Sequence, residues 1–213
     1  MNIIDKTFIF PSDILPNLSE IRSVILTDDK WENINFNSDK YKNCHYIRDK
    51  YVKFNFSILT HEFFIALKKL IFDVNIKKVA EIQSGAGWLT FWAKKYGIEV
   101  FYCIDDFSWE YKQNSRLPHV KKHDSIKFTK EHTEIDLFIL SWPYMDQNAF
   151  EIWQAINSGT YLLYIGEDYG GCTADDNFFK ATSKWVVEDK WELYKTFISF
   201  WGVHDRPILY QKP

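Results

Sequence analysis

A chain of 213 residues, 46% of them hydrophobic, suits one α/β domain with an N-terminal extension and is too apolar for a disordered segment. Its net charge of −3 excludes a general attraction to nucleic acid or an anionic membrane, and no run of 18 apolar residues offers a membrane span. Cys44, Cys103 and Cys172, odd in number and without a C-x-x-C pair, argue against a disulfide framework or a zinc site.

The start, Met1-Asn2-Ile3-Ile4-Asp5-Lys6, lacks a basic and apolar leader, so a cytoplasmic location is expected. Residues 1–55 are polar and mixed, punctuated by Pro11 and Pro16, with a short helix expected over Ser19–Leu26; they read as an extension serving as a lid or an oligomer contact. The domain proper is expected over 56–213. Thr60 is the expected N-cap, with Glu62 in the first turn, of a helix marked by Phe63, Phe64, Leu67, Leu70 and Ile71. Lys78–Ile82 reads as a strand, Trp88–Tyr96 as a helix closed by Gly97, and Val100–Ile104 as a second strand ending in Asp105-Asp106. Ile135–Leu140 is a third strand, Phe150–Ile156 a helix ended by Gly159, and Tyr161–Ile165 a buried parallel strand. A helix over Asn177–Trp185 follows, capped from Thr173–Asp176. Two last strands, around Leu193–Phe200 and Pro207–Gln211, are expected to pair as an antiparallel hairpin. The fold class is therefore α/β: a Rossmann-like, doubly wound, mostly parallel sheet with a C-terminal antiparallel hairpin.

Aromatic residues make up 18% of the chain, more than one core needs. Either some line a pocket or low-GC coding has inflated them.

The most informative stretch is Glu81-Ile82-Gln83-Ser84-Gly85-Ala86-Gly87-Trp88. Gly85 and Gly87 fall between a strand and a helix, where a ligand can approach the backbone. Asp105 follows Gly85 by 20 residues, at the end of the next strand, where a carboxylate can hold both ribose hydroxyls of an adenosine. A dinucleotide site wants a third small residue where Thr90 stands, and Glu81 would crowd a pyrophosphate. S-adenosylmethionine has an ammonium and a sulfonium and no phosphate, so Glu81 favours that cofactor.

From here the chain resembles class I S-adenosylmethionine-dependent methyltransferases, whose common form is an acid, one residue, then G-x-G-x-G; Gln83 stands at the first glycine. The resemblance implies that Glu81, Gln83, Ser84, Gly85 and Gly87 surround the methionine moiety and that Asp105 holds the ribose. It also puts Asp106 and Phe107 near the adenine, with Asp124-Ser125 where the family often contacts the adenine amine. Ile58-Leu59-Thr60 is expected to close over the cofactor.

Ser141-Trp142-Pro143-Tyr144 follows the third strand and reaches the ligand face of such a fold. It resembles the Pro-Pro-Tyr-type motif of amino-methyltransferases, with Trp142 for the first Pro; a rigid aromatic turn under the cofactor is the alternative. Ser141 is taken as catalytic, and Trp142 and Tyr144 as substrate-binding. In the loop from Gly166 to Asp176, Glu167 is a candidate to orient or deprotonate an acceptor and Asp168 to bind it, while Asp175 and Asp176 read as helix caps. Trp201-Gly202-Val203-His204-Asp205-Arg206 offers His204 as a general base oriented by Asp205, or a structural turn. Together these loops resemble a group of methyltransferase-like proteins over residues 50–213. His61-Glu62 has Ile65 four residues after His61, so no H-E-x-x-H zinc site arises. Asp105-Asp106 alone is like a glycosyltransferase acid pair, but the glycine turn does not belong to that class. Lys121-Lys122 and Lys68-Lys69 read as solvated surface.

The expected activity is methyl transfer from S-adenosylmethionine to a small polar or sugar-type acceptor, on oxygen or nitrogen. A fold that binds or scaffolds without turnover and a dinucleotide-binding oxidoreductase are the alternatives. The expected partner is a small molecule, carbohydrates included, with no nucleic acid, membrane or metal; oligomeric state stays open.

Overall fold

A computed structural model describes residues 15–27, 35–52, 54–109, 116–187 and 191–213. Pro11 lies outside the described residues. Helices α1 (Leu18–Val24) and α2 (Asp39–Tyr51) precede α3 (His61–Asp73), β1 (Val79–Ile82), α4 (Trp88–Lys95), β2 (Val100–Asp105) and β3 (Lys121–Lys122). Then come α5 (Ser125–Glu131), β4 (Leu137–Ser141), α6 (Asn148–Ala155), β5 (Tyr161–Gly166), α7 (Asp176–Thr182), α8 (Trp191–Lys195) and β6 (Arg206–Gln211).

The sheet order is β3-β2-β1-β4-β5-β6, parallel throughout except for β6, which runs antiparallel to β5 with Tyr161 opposite Gln211 and Gly166 opposite Arg206. Helices cover both faces, so successive residues of one strand enter different cores. Leu137 and Ile139 of β4 pack with α3 and α4, while Phe138 and Leu140 pack with Phe128, Trp153 and Phe178 on the other side. The order reverses between β1 and β4. A crevice therefore opens at the C-terminal ends of these strands.

The antiparallel strand closing the sheet is where the sequence puts it, but its partner is β5. Leu193–Phe200 is not a strand: Leu193 lies in α8, and Phe200 makes a single bridge to Thr27. Lys121-Lys122, exposed as expected, supplies a two-residue edge strand.

The described part of the extension belongs to the main core. Ile21, Ile25, Cys44, Ile47 and Tyr51 are buried in one cluster with Leu59, Phe63 and Leu67. Tyr51 Oη accepts the Leu59 N–H at 2.9 Å, and the Glu62 carboxylate accepts the Leu18 N–H. Thr60 caps α3, its Oγ1 accepting the Phe63 N–H at 3.2 Å. No helix among the described residues is long and apolar enough to cross a membrane.

Candidate functional site

A cleft lies at the switch point, walled by the loops after β1, β2 and β4 and by Asn55-Phe56 ahead of α3. Its floor is the β1–α4 turn. Gln83, Gly85 and Gly87 all have positive φ (52°, 57° and 82°), so the backbone alternates into the left-handed region as a G-x-G-x-G turn does. Gln83 holds there at a cost of roughly 1–2 kcal/mol. Its Oε1, and the Oγ of Ser84, are buried with no hydrogen-bond partner while both residues line the cleft. Unmade bonds of this kind are what a ligand satisfies.

Gly85 lines the cleft, and its N–H donates to Asp105 Oδ2 at 2.8 Å. Gly87 serves packing instead. A Cβ there would strike the Val120 side chain and come within 3.0 Å of His119 Nε2, so the absent side chain admits the β2–β3 connection, not a ligand.

Glu81, at the end of β1, is 2% exposed. Gly87 at the N-cap of α4 offers no side chain, and Glu81 Oε2 takes that place: it accepts the Thr90 N–H at 2.9 Å and the Thr90 hydroxyl. Thr90, which spoils the dinucleotide pattern, is thus the partner of a buried acid. Desolvation outweighs these bonds and lifts the Glu81 pKa to about 7.

Asp105 ends β2 and is 8% exposed. Besides Gly85, it accepts the Phe107 N–H at 2.9 Å, and Arg116 Nη2 stands 3.7 Å from Oδ1. The Arg116 guanidinium also lies 3.6 Å above the Phe107 ring. Phe107 is thus turned to Arg116 and away from the cleft lining, whereas Asp106, Asp124 and Ser125 do line it.

The opposite wall comes from Ser141, Trp142, Tyr144 and Phe56. Trp142, at φ 54°, donates its N–H to Ile165 O at 2.7 Å and its Nε1–H to Asp205 Oδ2 at 2.9 Å. Ser57 Oγ donates to the same oxygen at 2.9 Å. Asp205 therefore does not orient His204. It ties the loops before α3, after β4 and before β6 together, and burial lifts its pKa to about 6.

Of the expected site residues, the cleft gathers Glu81, Gln83, Ser84, Gly85, Asp105, Asp106, Ser141, Trp142 and Tyr144. Thr60 is fully buried beneath α3, its hydroxyl donating to Thr196 O at 3.4 Å; Phe56 takes the closing position given to Ile58–Thr60. Glu167 is spent on its own loop, accepting the N–H groups of Cys172 at 2.6 Å and His204 at 3.4 Å. Asp168 pairs with Arg206 at the surface, and His204 is exposed beside that pair in a separate groove. Sequence reasoning missed Arg116, Asn55, Phe56 and Trp109. Only the aromatic excess hinted at the last two.

Glu81, Asp105, Asp106 and Asp124 put four carboxylates on the cleft, and none of the described residues lining it is Lys, Arg or His. Among the described residues no group of His, Cys, Asp and Glu is arranged to hold a metal ion.

No family model and no curated protein matches the chain. Solved structures similar to it include human N-acetylserotonin methyltransferase in complex with S-adenosylmethionine, at 12% identity and TM-score 0.43, over 70% of this chain and 51% of that one. TehB from Haemophilus influenzae is 15% identical at TM-score 0.45, over 79% and 66%. The PH0226 protein from Pyrococcus horikoshii is 13% identical at TM-score 0.40, over 84% and 94%. The chain thus spans between half and two thirds of the length of the first two. The fold assignment rests on the strand order and polarity of the chain itself.

Proposed function

We propose that the protein is an S-adenosylmethionine-dependent methyltransferase acting on a small acceptor from the cytoplasm. The observation carrying this reading is the charge of the cleft at the switch point of a doubly wound sheet: four carboxylates line it, and among the described residues the one cation beside them is Arg116, 3.7 Å from Asp105. A dinucleotide brings phosphates that need donors and positive charge. A ligand with an ammonium and a sulfonium is the complement.

The residues present fit that ligand. In this reading Asp105 holds ribose hydroxyls, Glu81 faces the ammonium, and the unpartnered Gln83 Oε1 and Ser84 Oγ accept and donate at the methionine end. Asp124 and Ser125 border the adenine side. When bound, S-adenosylmethionine supplies an electrophilic methyl whose transfer leaves a neutral thioether. Ser141, Trp142 and Tyr144 lie across β1 from Asp105, which supports an acceptor on the β4 side, where proximity and orientation would supply most of the rate.

Binding without turnover is a second reading. It is favoured by the placement of His204 and Glu167 outside the cleft, which leaves only acids there as bases. A thermal-shift panel separates the cofactor classes. S-adenosylmethionine and S-adenosylhomocysteine are expected to raise the melting midpoint while NAD, NADP and ATP leave it unchanged. A shift with NAD alone contradicts the proposal.

A further inference from the structure

The glycine turn that floors the cleft is gripped from behind by the segment joining β2 to β3. The Leu117 N–H donates to Ala86 O at 3.0 Å, and His119 Nε2 stands 3.0 Å from Gly87 O. A carbonyl oxygen only accepts, so His119 carries a proton on Nε2 and donates it there. Leu117 acts through its backbone, which any residue but proline supplies; His119 acts through its side chain. Burial pushes the His119 pKa below its usual value, the bond to Gly87 O opposes the fall, and Lys94 and Lys121 add to it. At neutral pH the ring is therefore uncharged, with its one N–H committed to Gly87.

Gly87 passes that contact on. Its carbonyl also accepts the Phe91 N–H at 3.0 Å and so opens α4, while its own N–H donates to Ser84 O at 2.9 Å. Held at φ 82° and without a Cβ, Gly87 has no side chain to fix its peptide plane, and Val120 and His119 occupy the space beside it. One step along this chain of bonds stands Ser84, whose buried Oγ has no partner and which lines the cleft beside Gln83. We propose that His119 is a positioning residue for the amino-acid end of the ligand, acting through the Gly87 peptide to hold Ser84 and Gln83 in place. That the amino-acid end lies here rests on the methyltransferase reading.

The test is calorimetry on the full chain, His119→Phe and His119→Gln, well below the melting midpoint of each. The probes are S-adenosylhomocysteine and 5′-methylthioadenosine, which lacks the amino-acid chain. Phenylalanine keeps a ring and loses the donor, whereas glutamine returns an amide N–H near the place of Nε2. His119→Phe should weaken S-adenosylhomocysteine about tenfold and leave methylthioadenosine within about twofold. His119→Gln should bring S-adenosylhomocysteine back to within about threefold of the unsubstituted chain. Equal loss of both ligands, loss of neither, or no recovery with glutamine overturns the inference. If S-adenosylhomocysteine fails to bind the unsubstituted chain, the methyltransferase reading falls, and amide exchange on the free chain decides the positioning role. There His119→Phe should speed exchange at Gly87 and Phe91 about tenfold while Ala80 and Ile139 in the sheet keep their protection. Exchange that is unchanged at Gly87 and Phe91, or raised equally in the sheet, overturns that role as well.

Discussion

Glu81 and Asp205 are both nearly sealed from water, at 2% and 5% exposure, and burial raises the pKa of each. Their surroundings differ in kind. Glu81 caps α4 through Thr90 and still borders the cleft, beside two side-chain oxygens with no partner. Asp205 accepts Ser57 and Trp142 and does not line that cleft. Both regions leave buried oxygens without a partner, Asp205 Oδ1 among them, but Asp205 Oδ2 is spent on holding three loops in register while Gln83 and Ser84 line the cleft. Burial and a raised pKa therefore do not mark a functional acid by themselves.

The largest effect should come from the sealed acid. Asp205→Ala strands the Trp142 Nε1–H and the Ser57 hydroxyl, and each buried orphan costs about 1–3 kcal/mol, so calorimetric melting should drop by roughly 5–10 °C. A drop of under about 2 °C would mean that the three loops hold without it.

The pH dependence sharpens the contrast. Each acid binds its proton more tightly in the folded state, so each contributes stability that is full below its unfolded pKa and is lost as pH rises through its folded value. For Glu81 that window is 4.5 to about 7, and for Asp205 it is 3.8 to about 6. Glu81→Gln should flatten the upper part of the stability profile, and Asp205→Asn the lower part. A cationic ligand at the cleft should lower the Glu81 pKa again and so release protons near neutral pH. Titration in two buffers of different ionisation enthalpy reads this release, and Glu81→Gln should abolish it. Release unaffected by that substitution would place the ligand's ammonium elsewhere.

The smallest effect should be Thr60→Ala. Loss of the α3 cap costs about 1 kcal/mol, while cofactor affinity stays unchanged because the hydroxyl faces Thr196 and not the cleft. An affinity loss of tenfold would restore a closing role for this segment.

Much of this layout is legible in the sequence. Strands buried on both faces read as continuous apolar runs, and caps such as Thr60 and Asp175 lie one residue before their helices. The glycine turn showed the floor of the site, whereas the positive φ that Gln83 adopts where a glycine is usual is seen only in the structure. Other features depend on tertiary context. In α2 only Cys44, Ile47 and Tyr51 are buried, a stripe too sparse to stand out in a polar stretch. The apolar residues from Leu193 to Phe200 fit a strand as well as a helix turn, and docking of α8 on α3 decides between them. Glu167 looked catalytic because its loop follows a strand to the ligand face and His204 because Asp205 follows it, yet Glu167 is bound by the Cys172 and His204 backbone N–H groups and Asp205 turns to Ser57 and Trp142. Phe56 enters the cleft only because the extension folds into the core.

An adenosyl sulfonium ligand in the acidic cleft is what the proposed function requires above all. Calorimetric titration of the chain with S-adenosylmethionine and S-adenosylhomocysteine, with Asp105→Ala alongside, tests it most directly. Micromolar binding of both that falls at least about thirtyfold in the variant is the predicted result. Absence of binding to either ligand, or binding indifferent to Asp105, would contradict it.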